Sequence, residues 1–266
     1  MSATDSLLEL EIFKNEAEIR IQTLGQFSVW QNDEKIESKA WSRDKTTQLL
    51  QYLISNRQRN ALHKEKIMDH LWDDWNDNDF KVAMHGINKV LEPNRASRSE
   101  PTYIIRQGVS YQLNLDKVWI DVEALEKYII IGNANFGEDN ITAKRAYNEA
   151  INLYKGVYLP NRIYEDWSSE EREKIQVLVL GAYITLAEIL LKEKPIESIR
   201  LAQSALAIDS TWEDAYRIQM QGYLEKGNRP QAIKAYKKCE TILEEEYGIA
   251  PLPETKQLLQ TIQQIG

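Results

Sequence analysis

Phe80-Lys-Val-Ala-Met-His-Gly-Ile-Asn-Lys-Val-Leu-Glu-Pro93, followed by Tyr103-Ile-Ile-Arg-Gln-Gly-Val-Ser-Tyr-Gln-Leu113, reads as a helix and then a hairpin. In the first run Phe80, Ala83, Met84, Ile87 and Leu91 recur at spacings of three and four, the period of a helix with one buried face. Pro93 has no N–H to donate and stops it. In the second run Tyr103–Arg106 and Ser110–Leu113 are β-rich, and Gly108 sits near the tip of the turn that joins them. Working backwards, residues 64–72 form a helix burying Ile67, Met68 and Leu71, and residues 43–56 form another with Leu49, Leu50, Leu53 and Ile54 on one stripe. Before these, Ile19, Ile21, Phe27 and Val29 alternate with polar neighbours, with Gly25 and Asn32-Asp33 as turns. Strands, three helices and a hairpin, in that order, predict a winged helix-turn-helix over residues 19–117, behind an N-terminal lead of residues 1–18. In that architecture the third helix can enter the DNA major groove while the hairpin touches the flanking backbone or minor groove. Because these elements close one core, a fragment spanning residues 1–115 is expected to fold alone.

From about residue 120 the strand signals disappear. Helices are predicted at roughly 121–132, 142–155, 168–192, 196–207, 212–226, 230–246 and 254–264. A shift of 34 residues places Ile184 on Ile218, Leu190 on Leu224, Lys192 on Lys226 and Ile199 on Ile233, with Pro195 and Pro230 at nearly matching turns. That is the period of a tetratricopeptide helix pair, whose units bury apolar faces on their neighbours and leave a concave groove. The fold class is therefore an α+β winged helix-turn-helix domain followed by an all-α tetratricopeptide-like repeat domain over residues 118–266.

Composition sets bounds on function. Hydrophobic residues make up 42% and charged residues 28% of 266, an ordinary globular profile. No apolar run is long enough to span a bilayer, and Met1-Ser-Ala-Thr-Asp lacks the basic and apolar segments of a secretory signal. The single cysteine, Cys239, suits a reducing compartment, so the cytoplasm is expected. There is no phosphate-cradling glycine loop, zinc spacing or glycine-flanked nucleophilic serine, which argues against an enzyme, a metal or a cofactor. The net charge of −8 is unfavourable for a nucleic-acid binder, but phosphate attraction is local. Residues 81–106 hold Lys81, Lys89, Arg95, Arg98 and Arg106 against only Glu92 and Glu100.

The candidate DNA contacts follow from the periodicity. With Phe80, Met84 and Ile87 turned to the core, the opposite face of the third helix presents Asn78, Lys81, His85, Asn88 and Lys89. Arg43, Lys45 and Thr46 at the start of one helix and Lys64 at the start of the next are candidates for phosphate contact, since helix N-termini favour anions. In the hairpin Arg106 is the candidate for backbone or minor-groove contact, and Tyr111 reads as core. Gly86 in mid-helix implies close approach of DNA or of the preceding helix. Asp73, Asp74, Trp75 and Asp77 crowd the segment between the second and third helices, where a solvated connector and a partner-binding loop are both open readings.

The order and spacing of these segments resemble the SARP-like regulators, in which an OmpR-type winged helix precedes a bacterial transcriptional activator domain. Ile21-Gln-Thr-Leu-Gly-Gln-Phe-Ser-Val29, Trp41-Ser-Arg-Asp-Lys-Thr-Thr-Gln-Leu-Leu50 and His63-Lys-Glu-Lys-Ile-Met-Asp-His-Leu-Trp72 carry the likeness, with the two runs quoted first and Leu243-Glu-Glu-Glu-Tyr-Gly-Ile-Ala-Pro-Leu-Pro-Glu-Thr255. The resemblance covers residues 19–264 and implies a transcription activator, with RNA polymerase meeting the loop around Trp75. One departure bears on mechanism. Asn88-Lys89 stands where members often carry a basic pair, so a guanine-reading Arg is missing and an adenine-reading Asn is available instead. The expected partners are double-stranded DNA, RNA polymerase, a second copy of the chain, and a signalling protein or peptide in the repeat groove. The alternative is a non-enzymatic adaptor whose winged helix no longer binds DNA and whose groove holds a peptide.

Overall fold

Ile19 and Ile21, fully buried, alternate along β1 (Ile19–Gln22), one of the two inner strands of a four-stranded sheet. The computed structural model describes residues 3–73 and 76–264. A helix, α1 (Ala3–Glu16), precedes the sheet and buries Leu7. β1 pairs antiparallel with β2 (Ser28–Gln31), which pairs with the short β3 (Glu34–Lys35). The three expected helices follow as α2 (Asp44–Ser55), α3 (Lys64–Leu71) and α4 (Asp77–Leu91). The hairpin is β5 (Ile104–Gln107) and β6 (Ser110–Leu113), and the two-residue β4 (Leu62–His63) pairs with β6 to complete a three-stranded wing sheet.

In space the chain packs as two interleaved units. One unit is Met1–Leu125 with Leu153–Ile175, and the other is Glu126–Asn152 with Gln176–Gly266. The reason lies in the sheet. Its remaining edge is β7 (Val118–Ile120), which lies parallel to β1 with Val118 opposite Ile19 and Ile120 opposite Ile21. Directly after it Asp121, which is buried, accepts hydrogen bonds from Thr23 N (2.8 Å), Thr23 Oγ1 (2.6 Å) and Leu24 N (2.9 Å). A later segment then returns to the same strand. Gly25 N donates to Val157 O at 3.0 Å and Leu159 N to Thr23 O at 2.9 Å, while Tyr158 buries its whole side chain. At Gly25 φ is +82°, and a Cβ there would stand 2.6 Å from the Lys155 carbonyl oxygen, so only glycine fits.

Two buried arginines bind this segment and the start of α5 (Asp121–Asn135) to α2 and the residues after it. Arg162 forks onto the Asp44 carboxylate and donates through Nε to Gln51 at 2.7 Å. Arg57, whose side chain is 1% exposed, donates to Glu123 at 2.8 Å and Glu171 at 2.6 Å. Residues 1–115 alone lack β7, Asp121, Tyr158 and Arg162, and the Glu123 and Glu171 carboxylates that Arg57 meets.

The second unit contains the remainder of α5, α6 (Asn140–Leu153) to its penultimate residue, and the later part of α7 (Ser169–Leu190). It continues through α8 (Pro195–Ile208), α9 (Glu213–Glu225), α10 (Arg229–Tyr247) and α11 (Pro253–Gln264). The 34-residue shift is real in space: Ile184 and Ile218 share one core with Leu180, Ala187, Ala202, Ala205 and Ala215. A second core joins Met220, Ala232, Ala235, Tyr236 and Ile262. Prolines open both α8 and α10, where a missing N–H costs nothing. Cys239 is a fully buried small hydrophobe beside Tyr216 and Leu243.

Two expected outcomes test this first unit. Arg57→Met removes the buried guanidinium shared by Glu123 and Glu171, although Lys174 still reaches Glu171, and should cost about 3 kcal/mol, against less than about 1 kcal/mol for Arg59→Met, whose pair with Glu170 is exposed. Urea unfolding that ranks the two variants the other way contradicts the arrangement. Burial pushes the Asp121 carboxyl up to about 6, although Thr23, Leu24 and Val122 donate to it. The folded state therefore holds a proton that the unfolded chain has released, and stability falls as pH rises from about 4 through 6. Over that window the parent should lose roughly 2–3 kcal/mol relative to Asp121→Asn, which carries no such proton. Parallel stability–pH curves for the two proteins would refute it.

Candidate nucleic-acid interface

Helix α4 is built to face two ways. Asn76 caps it by accepting from Asn78 N at 2.9 Å, so it starts two residues earlier than the periodicity indicates. Phe80, Ala83, Met84, Ile87 and Leu91 are all buried, and Phe80 packs edge-on against Tyr111 of the wing at 5.0 Å and Trp72 at 6.4 Å between ring centroids. A Cβ on Gly86 would meet Thr46 Cγ2 and Oγ1 at 2.9 Å, so the glycine lets α4 cross α2 closely. The neighbour is thus α2 rather than DNA or α3. Burial of this stripe leaves Asn78, Lys81, His85 and Lys89 exposed together on the other side. Asn88 is not among them: it is half-buried, and its Oδ1 is enclosed with no hydrogen-bond partner among the described residues. The expectation that it reads adenine is corrected accordingly.

The expected phosphate contacts divide sharply. Thr46 is 3% exposed, because it lies on the α2 stripe under Gly86, and its hydroxyl cannot meet a phosphate. Lys45 folds back to donate to Leu71 O, with Nζ 5.6 Å from the Trp72 ring centre, so its charge sits at the C-terminal end of α3. Lys64 is turned inward over Phe80 and donates to Asp77. Arg43, at the N-terminal boundary of α2, stays exposed. On the wing Arg106 is exposed, donating to Gly108 O at 2.8 Å with its guanidinium 5.9 Å from the Tyr111 ring centre. That holds its cation near the hairpin tip.

Asp77 is the residue that sequence reasoning misplaced. It is the first residue of α4, not part of a free acidic loop, and the Lys64 ammonium bonds one of its oxygens while Lys81 lies 3.1 Å from the other. The hydrogen bonds from Lys64 and then Lys81 hold its carboxyl below the usual range. The Asp77–Lys81 spacing, four apart on a helix, was available in the sequence. The Lys64 contact was not, since it crosses from one helix start to another. Asp73 is exposed in the bend after α3, and Trp72 is half-buried against Phe80. Asp74 and Trp75 lie outside the described residues. Among the described residues no group of three or more His, Cys, Asp or Glu side chains could hold a metal ion.

Comparison with known proteins agrees with the architecture. Residues 120–263 match the family model described as bacterial transcriptional activator domain. No curated protein matches the chain. Among solved structures the chain is similar to Mycobacterium tuberculosis EmbR in complex with low affinity phosphopeptide, with a TM-score of 0.78 and 16% identity. That match covers 93% of this chain and 65% of the other, a likeness of fold to part of a longer protein. None of the described helices is long and apolar enough to cross a membrane. With more than half its length matched, the chain belongs to the bacterial transcriptional activator domain family.

Proposed function

We propose that the chain is a cytoplasmic, sequence-specific DNA-binding activator that reads the major groove with α4 and steadies itself on the backbone with the wing. One observation carries this reading: the buried stripe of α4 leaves Asn78, Lys81, His85 and Lys89 on one exposed polar face. Asn78 and His85 offer hydrogen bonds to base edges, and Lys89 and Arg106 offer charge to phosphates. The acidic segment Asp73-Asp74-Trp75 is the proposed contact for RNA polymerase, on the strength of the family resemblance. The repeat unit is proposed to pair two copies or to receive a signal from a protein or peptide. The adaptor reading draws its support from Lys45 and Lys64, whose ammonium groups are engaged within the protein.

Selection of binding sites from random duplexes with purified protein decides between the readings. On the selected operator, Lys89→Ala should weaken binding about 3- to 10-fold and lower the salt slope by about one unit, with an unchanged thermal melt. In reconstituted transcription at full operator occupancy, Trp75→Ala should lower output without changing affinity. An operator bound equally well by parent and Lys89→Ala at every salt concentration removes α4 as the reading element, and failure to select any site favours the adaptor.

A further inference from the structure

Two of the cations nearest the front of α4 are held by a single carboxylate. Lys64, at the first position of α3, and Lys81, one turn into α4, both bond Asp77. The three groups remain in reach of solvent, with side chains 18%, 69% and 60% exposed for Lys64, Lys81 and Asp77. The N-terminal end of a recognition helix is the part that approaches base edges and phosphates, so Asp77 stands at the front of the proposed reading surface.

We propose that Asp77 is a specificity-determining residue of DNA recognition, holding Lys64 and Lys81 off the phosphates and so suppressing sequence-independent binding. This inference rests on the DNA-binding reading above. Binding to DNA of any sequence is driven by lysines and arginines that neutralise phosphates and release counterions. A lysine already neutralised by its own carboxylate releases none until that carboxylate is displaced. The cluster brings one net positive charge to the duplex instead of two, and at contact distance salt screening, with a length of ~8 Å, does little to hide the Asp77 charge from a phosphate. Hydrogen bonds from Asn78 and His85 to base edges draw on none of these charges. Asp77 therefore weakens the complex with arbitrary DNA more than the complex with the operator, and the ratio between the two rises.

The test uses the full chain, fluorescence anisotropy, and two duplexes of equal length, the selected operator and a scrambled sequence, titrated over a range of salt. Asp77→Asn frees both lysines and should bind the scrambled duplex about tenfold tighter at low salt, with the salt slope steeper by one to two units. Its operator affinity should rise less, so the specificity ratio falls. Lys81→Ala should cost more affinity in the Asp77→Asn background than in the parent. Asp69→Asn, which removes an exposed acid from α3, gives the size of a general charge effect and should move scrambled-duplex binding much less. Asp77→Ser must repeat the Asp77→Asn result, which keeps the test open if the first variant weakens the start of α4. If the parent prefers its operator but Asp77→Asn and Asp77→Ser bind scrambled DNA no better than Asp69→Asn does, the inference falls and the DNA-binding reading stands. If neither parent nor variant prefers the operator, both fall together.

Discussion

The close crossing of α4 over α2, where Gly86 lies against Thr46, is the contact on which the functional reading depends. A helix can offer one face to a core and one to water. Once Gly86 lets α4 settle on α2, with Phe80 against Tyr111, the apolar stripe is committed inward. Each of Phe80, Met84 and Ile87 would cost ~1.5–3 kcal/mol if turned to solvent, so the outward face is determined by what the inward face buries. A Cβ at position 86 would stand 2.9 Å from the Thr46 side chain, so a larger residue there makes either Thr46 or the helix crossing give way.

The first unit draws its residues from two separate stretches of the chain. Its sheet is closed by β7 on one edge of β1, and its helical face by residues 153–175, which return after an excursion through the other unit. Arg57 and Arg162 make that return expensive to undo, since each guanidinium is buried and would itself be left unpaired without these carboxylates. The chain order alone makes the winged-helix part look separable from the repeats. The packing makes residues 153–175, which follow α6, part of the first unit.

What was legible followed from period. Apolar spacing located α2, α3 and α4, the β5–β6 hairpin and the 34-residue repeat, because burial of one face is a local demand. Thr46 was misassigned although its position three before Leu49 places it on the buried stripe; its hydroxyl drew attention to solvent instead. The partners of Lys45, Lys64 and Asp77 lay beyond spacing for a different reason. Long charged side chains choose partners by geometry across a loop, and nothing in spacing shows that Lys64 reaches Asp77 or that Lys45 reaches the end of α3. Spacing places Asn88 on the outer face, yet it is half-buried beside Ile87 with its Oδ1 enclosed.

An acidic chain that binds DNA must rely less on phosphate charge and more on base contacts, and α4 has the composition for it. The most direct measurement is therefore a binding-site selection run in parallel with the parent and with a variant carrying Asn78→Ala, His85→Ala and Lys89→Ala. The account predicts that the parent enriches one defined motif and that the triple variant enriches none while keeping the parent's circular dichroism and melting curve. The same motif recovered with both proteins would show that α4 does not read DNA.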